Sequence, residues 1–79
     1  MPNGIALNPA GTKLCVAGTM SDYAAVVSRA TFAYRLAAFG HKPYWVTNSA
    51  DGRACFISFS GDDRVSVVSY AKEKEVAAR

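Results

Sequence analysis

A repeat of 41 residues constrains the fold of this 79-residue chain more than any other feature of its sequence. Shifting the chain against itself by 41 positions gives eight identities in the 38 overlapping positions, without a gap. Ordinary composition gives roughly 6 to 8% identity by chance. A period of about 40 residues is typical of propeller blades and of helical arrays. The identical positions are Pro2 and Pro43, Gly11 and Gly52, Asp22 and Asp63, Val26-Val27-Ser28 and Val67-Val68-Ser69, Ala30 and Ala71, and Ala37 and Ala78.

The hydrophobic pattern within each unit indicates strands. The stretches IALNPAGTKLCVAG and YWVTNSADGRACFIS each place a glycine-containing turn between two short apolar runs, as in a β-hairpin. Gly11 and Gly52 can supply the positive φ that such a turn requires. The stretches DYAAVVSR and DRVSVVSY carry apolar residues at both odd and even positions. This pattern is typical of a sheet that is covered on both faces.

The sequence therefore predicts an all-β fold of two four-stranded antiparallel β-propeller blades, with the first blade in residues 1–41 and the second in residues 42–79. The last element of each unit is ambiguous, because Ala, Glu, Lys and Arg favour helix. An α+β fold with helices near residues 24–39 and 71–79 is the alternative. The predicted strands are residues 4–8, 13–18, 23–29, 33–38, 44–48, 54–59, 64–70 and 74–78.

The two units resemble the YVTN β-propeller repeat family, whose units open approximately with P-x-G-[VI]-A-[VL]-x-P-x-G-[KT] and later carry V-S-V-[IV]. PNGIALNPAGTKLCVAG, residues 2–18, follows the opening, and SGDDRVSVVSYAKEKEVAAR, residues 60–79, follows the second half. The second opening departs from the pattern, with Trp45 in place of Gly4 and Ala50 in place of Pro9. WVTN is similar to the motif that names the family, but the register places it on the first strand, whereas the family usually carries it on the second.

The resemblance implies that the blades are arranged radially, with the first strand of each nearest a central channel. Two blades share a single interface, so each keeps an outer apolar face that lacks a neighbour. We therefore expect a partial propeller that is completed by further blades or by self-association of several copies, or that binds a protein partner. The resemblance also implies a secreted or periplasmic protein, although the first residues do not resemble a signal peptide.

The composition argues against two classes of partner. Nine Lys and Arg residues against six Asp and Glu residues give a formal net charge of +3. The basic residues are scattered and form no stripe, which argues against nucleic-acid binding. No stretch approaches the ~20 apolar residues of a membrane-spanning helix.

The resemblance also indicates where a binding surface would lie. In such propellers the loops between blades and the turns between the second and third strands meet at one rim of the channel. Asp commonly hydrogen-bonds the local backbone in turns, and one His without a second ligand makes a poor metal site. We therefore predict no catalytic, metal or cofactor-binding residue. The candidate rim residues are His41, Lys42, Asp22, Asp62 and Asp63.

Three residues are expected in the interior. Trp45 is predicted to belong to the core or to line the channel. Cys15 aligns with Phe56, so Cys15 and Cys55 point to opposite blade faces and either both line the shared interface or both point away from it. Packed sheets lie about 10 Å apart, whereas a disulfide usually needs Cα atoms within about 7 Å. The sequence thus predicts two free, buried thiols.

No catalytic chemistry converges in this sequence. Ser28 and Ser69 lack the His and Asp pairing of a recognisable nucleophile, and no glycine-rich phosphate loop is present. The prediction is a non-catalytic propeller segment, without a cofactor, that acts as a scaffold or protein-interaction module. The alternative is a fragment of an extracytoplasmic propeller enzyme or electron-transfer protein whose cofactor ligands lie in other blades.

Overall fold

The computed structural model describes residues 2–18 and 22–79, and in these ranges the chain forms two four-stranded antiparallel sheets without a helix. Each sheet follows chain order. The predicted all-β fold class is confirmed, and the alternative with helices near residues 24–39 and 71–79 is wrong. The first sheet contains β1 (Pro2–Leu7), β2 (Lys13–Gly18), β3 (Tyr23–Ser28) and β4 (Tyr34–Phe39). The second sheet contains β5 (Pro43–Asn48), β6 (Ala54–Phe59), β7 (Arg64–Ser69) and β8 (Lys74–Ala78).

The strand bounds agree with the sequence prediction to within two residues. Met1 and residues 19–21, which fall in the predicted first unit, lie outside the described residues. The predicted blade boundary at residues 41 and 42 falls in the connection between β4 and β5 and stays a prediction.

The hairpin turns follow from their sequences. Gly11 and Gly52 have φ values of 73° and 74°, the left-handed conformation that glycine adopts without a steric penalty. In the first turn the side-chain oxygen of Asn8 accepts hydrogen bonds from the backbone N–H groups of Thr12, at 2.9 Å, and Lys13, at 3.0 Å. These local bonds fix where β2 begins.

The two sheets pack through unlike faces, which we call their inner faces. The buried positions of β1 to β3 are mostly small residues, whereas those of β5 to β7 include the larger Ile57 and Phe59. Ile57, Phe59 and Val68 are completely buried against the small-residue face. The inner face of the first sheet consists of Gly4, Ala6, Cys15, Ala17, Ala24 and Val26. The inner face of the second sheet consists of Val46, Cys55, Ile57, Phe59, Ser66 and Val68.

Cys15 and Cys55 form a disulfide across this interface, so the prediction of two free thiols is wrong. Their Cα atoms are 6.7 Å apart. The prediction assumed the ordinary spacing of packed sheets, but the sheets come closer together here because the first one presents glycine and alanine. Both cysteines are buried at the shared interface, which is one of the two locations that the register allowed.

Trp45 does not belong to the core, so that part of its prediction is wrong, whereas a place along a channel stays a prediction. The side chain is 61% exposed and lies on the outer face of the second sheet, where no further sheet packs within the described residues. The 41-residue register had aligned Trp45 with Gly4, which faces the neighbouring sheet. No sheet among residues 2–18 and 22–79 packs against Trp45 as the second sheet packs against Gly4.

Candidate functional site

The five candidate rim residues lie at one edge of the two sheets. Asp22 directly precedes β3, His41 and Lys42 connect β4 to β5, and Asp62 and Asp63 lie between β6 and β7. Because neighbouring strands are antiparallel, these three segments lie at the same edge. The fold thus gathers charged residues that are distant in sequence.

Two hydrogen bonds join His41 to Asp62. The backbone N–H of His41 donates to Asp62 Oδ2 at 2.7 Å, and His41 Nδ1 lies 2.8 Å from Asp62 Oδ1. The His41 side chain is 73% exposed and that of Asp62 is 29% exposed. The contact therefore ties the β4–β5 connection to the β6–β7 turn and leaves most of the imidazole open to solvent.

Two glycines make room for this contact. A Cβ atom on Gly61 would lie 2.8 Å from the Cβ of His41, and one on Gly40 would lie 2.8 Å from Asp62 Oδ2. The Gly61 N–H also donates to the carbonyl oxygen of His41 at 3.1 Å. Larger residues at either position would separate the connection from the turn.

The electrostatics of the site favour a charged pair. The hydrogen bond that the His41 ring makes to the Asp62 carboxylate is the main cause that raises the pKa of His41 above the ordinary value of 6.5. The negative charges of Asp62 and Asp22 add to this effect. In turn, the hydrogen bonds from the His41 backbone and side chain lower the pKa of Asp62. Both shifts stabilise an imidazolium next to a carboxylate.

Lys42 and Asp63 contribute to the rim through their backbones. Both have a positive φ, 54° and 49° respectively, which is uncommon for residues with a side chain. The carbonyl oxygen of Lys42 accepts a hydrogen bond from the Ser60 N–H at 3.0 Å. Their side chains are exposed. The structure therefore brings Asp22, His41 and Asp62 together and gives Lys42 and Asp63 a role in shaping the turns.

The rim can hold a proton and present charge to a partner. Histidine titrates near neutral pH. A carboxylate that is hydrogen-bonded to one ring nitrogen fixes the orientation of the ring and thus of its other nitrogen. Ser28 and Ser69 are the last residues of β3 and β7, whereas Asp22 and Asp62 lie before the first residues of these strands. Neither serine is therefore near His41. In the described parts of the chain, no three His, Cys, Asp or Glu residues are grouped so that they could hold a metal ion.

A polar network at the opposite edge was not predicted from the sequence. Lys13 Nζ donates to the carbonyl oxygen of Tyr70 at 2.8 Å and lies 3.4 Å from Glu73 Oε2. Arg35 Nε lies 3.1 Å from Glu73 Oε1. Glu73, in the turn between β7 and β8, thus pairs with two cations of the first sheet.

Asn48 and Tyr70 extend this network between the sheets. The Tyr70 hydroxyl donates to Asn48 Oδ1 at 2.6 Å, and Asn48 Nδ2 donates to the carbonyl oxygen of Leu7 at 2.8 Å. Burial raises the pKa of Tyr70. These residues replace Leu7 and Arg29 of the first unit in the 41-residue register. Positions at which the two units differ in sequence were therefore the available signal for contacts that the repeat itself does not predict.

The outer face of the first sheet is a second candidate surface. The strand register places ten apolar or aromatic residues on it, and the described residues of this face include no charged side chain. Ile5 is 59% exposed, and Tyr34 and Phe39 are more exposed still. Contiguous apolar surface of this kind marks an interaction site. The residues of this face are Ile5, Leu7, Leu14, Val16, Tyr23, Ala25, Val27, Tyr34, Leu36 and Phe39.

Comparison with known proteins identifies the fold. No protein-family model and no curated protein sequence matches this chain. A solved structure, hydrazine synthase of Kuenenia stuttgartiensis, is similar with a TM-score of 0.82 and 22% sequence identity. The likeness covers 98% of this chain and 22% of that chain, so this chain spans about a fifth of the length of the solved protein. At this identity the comparison supports a partial propeller-like fold and does not show an activity.

Within residues 2–18 and 22–79, no helix is long and apolar enough to cross a membrane.

Proposed function

We propose that this chain is a segment of a YVTN-type β-propeller and acts as a non-catalytic protein-interaction module. The observation that carries the proposal is the uncharged outer face of the first sheet, which exposes Ile5, Tyr34, Leu36 and Phe39. Burying such a face against another sheet is the usual way in which repeat units gain stability. The module therefore receives a further propeller-like sheet, supplied by the same polypeptide or by a partner.

The rim contributes a polar contact beside this apolar face. Asp22 directly precedes β3 of the first sheet, and the His41–Asp62 pair adjoins it at the junction of the two sheets. Charged groups at the border of an interface direct association and orientation more than they add affinity. In this proposal the apolar face supplies the binding energy and the rim helps to set the orientation.

Photo-cross-linking tests the proposal. A photoreactive amino acid replaces Leu36 in the protein as its own cells produce it, and mass spectrometry identifies the linked peptide. The expected result is an efficient cross-link to a strand of another sheet. The control is the same amino acid at Lys72, which is exposed in the β7–β8 turn away from this face. Cross-linking at position 36 no greater than at position 72 would contradict the proposal.

A second candidate is a fragment of an extracytoplasmic propeller enzyme or electron-transfer protein. The Cys15–Cys55 disulfide favours it, because disulfides persist mainly in oxidising compartments such as the periplasm. The similar solved structure is also an enzyme by name. Native purification separates the candidates, because the enzyme fragment would co-purify with a bound cofactor. The interaction module would be recovered with its partner sheet and without a cofactor.

A further inference from the structure

The interface between the two sheets is asymmetric, because a face of mostly small residues meets a face with larger residues. Gly4 on β1 lies against Val46 on β5, and a Cβ atom on Gly4 would lie 2.8 Å from the backbone nitrogen of Val46 and 2.9 Å from its Cγ2. Contacts this short are not tolerated without movement of the backbone. The close approach of the first strands of the two sheets therefore depends on glycine at position 4.

The repeat assigns the outer face of the first sheet to the large-residue type. Its positions on β1, β2 and β3 align, at the 41-residue offset, with inner positions of the second sheet that are buried. This face resembles the inner face of the second sheet but lacks the small-residue face that would cover it. The aligned pairs are Ile5 and Val46, Leu14 and Cys55, Val16 and Ile57, and Val27 and Val68.

The outer face of the second sheet occupies the position of the small-residue face without having its composition. Trp45 stands where the first unit has Gly4. A second copy that packed in the same geometry would place the Trp45 indole where even one Cβ atom meets the opposite backbone. The other large replacements are Thr47 for Ala6, Phe56 for Cys15, Ser58 for Ala17 and Val65 for Ala24.

We infer that the outer face of the first sheet binds a four-stranded antiparallel sheet that presents glycine and alanine to it, in the geometry of the chain's own interface. Trp45 excludes a second copy of this chain as that sheet. The inference rests on the proposed function and specifies the partner class. The partner carries glycine opposite Ile5 and small side chains opposite Leu14 and Val16.

A matched pair of chains tests this inference. The supplier carries Trp45→Gly, Thr47→Ala, Phe56→Ala, Ser58→Ala and Val65→Ala, which give its second sheet a small-residue outer face, and Leu36→Lys, which blocks its own receiving face. The receiver is the unaltered chain. Sedimentation velocity at micromolar concentrations is expected to show two monomers when the chains are separate and a 1:1 complex when they are mixed. A receiver with Leu36→Lys is expected to form no complex.

Two results would overturn the inference. One is a folded supplier, by circular dichroism, that fails to bind the receiver. The other is self-association of the unaltered chain that Leu36→Lys abolishes, since the occupant would then be a second copy. In that second case the proposed interaction function survives, whereas equal cross-linking at positions 36 and 72 would end the proposed function itself.

A single substitution tests the inference even if the multiply substituted supplier does not fold. Trp45→Gly alone is expected to raise self-association at least about tenfold, because it removes the largest obstacle between first strands. Trp45→Phe keeps a bulky ring and is expected to leave association unchanged. A folded Trp45→Gly chain that associates no better than Trp45→Phe would overturn the inference.

Discussion

At the scale of single residues, the pair formed by His41 and Asp62 is the part of the rim that pH controls. The folded-state pKa of His41 is raised, so its contribution to stability is fully present below the ordinary value of 6.5 and is lost as the pH rises through the folded-state pKa. The pKa of Asp62 is lowered, so its contribution is present above 3.8 and is lost as the pH falls through the folded-state pKa. The charged pair is therefore complete at mildly acidic pH.

Removing the carboxylate should restore an ordinary histidine. We expect Asp62→Asn to lower the pKa of His41 toward 6.5, because the substitution removes the hydrogen-bonded charge, and Asp22→Asn to lower it less. An NMR titration of the imidazole protons measures both. Asp63→Asn is the control and is expected to change the His41 pKa less than either substitution. An unchanged His41 pKa in Asp62→Asn would contradict the assigned contact.

Gly4 is the residue whose size sets the approach of the two sheets. We expect Gly4→Ala to lower the free energy of unfolding by about 1–3 kcal/mol, the usual cost of overpacking a well-packed interior, because the new methyl group would meet Val46. Urea denaturation measures the loss. Thr47→Ala on the exposed side of β5 is the control, with an expected change within about 0.5 kcal/mol. Equal stability of the two variants would show that the sheets can separate at no cost.

At the scale of elements, the first three strands of each unit could be predicted because alternation, turn glycines and the repeat all agree there. β4 and β8 could not be distinguished from helices, since their sequences are rich in Ala, Lys, Glu and Arg. Pairing with β3 and β7 overrides this local preference, as strand formation depends on context. The rim segments could be assigned to one edge, but the His41–Asp62 bonds depend on the local approach of Gly40 and Gly61, which a register does not describe.

The disulfide is the element-scale feature with the largest expected effect. It joins β2 to β6 across a separation of 40 residues, so it restricts the unfolded chain strongly. We expect Cys15→Ala with Cys55→Ala to lower the free energy of unfolding by about 4 kcal/mol on the chain-entropy model. Urea denaturation of the double variant measures the loss, and the unaltered chain in reducing agent is the control. The two should have similar midpoints, and a double variant as stable as the oxidised chain would contradict the role of the disulfide.

At the scale of the whole molecule, the two sheets bury one face each and leave the other face of each open within the described residues. The two open faces differ, because the first is uniformly apolar whereas the second mixes Trp45 and Phe56 with hydroxyl side chains. This difference gives the molecule a direction along the stack of sheets. Because of this difference, a further sheet is expected on the outer face of the first sheet. The repeat alone did not reveal the difference, because it treats the two units as equivalent.

Hydroxyl-radical footprinting, read by mass spectrometry, tests the central claim most directly. The labelling of Tyr34, Leu36 and Phe39 is compared between the isolated chain and the protein as its cells produce it, with Phe32, 76% exposed in the β3–β4 turn, as the internal reference. The account predicts that the three residues are labelled in the isolated chain and protected in the native protein, relative to Phe32. Equal labelling of these residues in both preparations would contradict it.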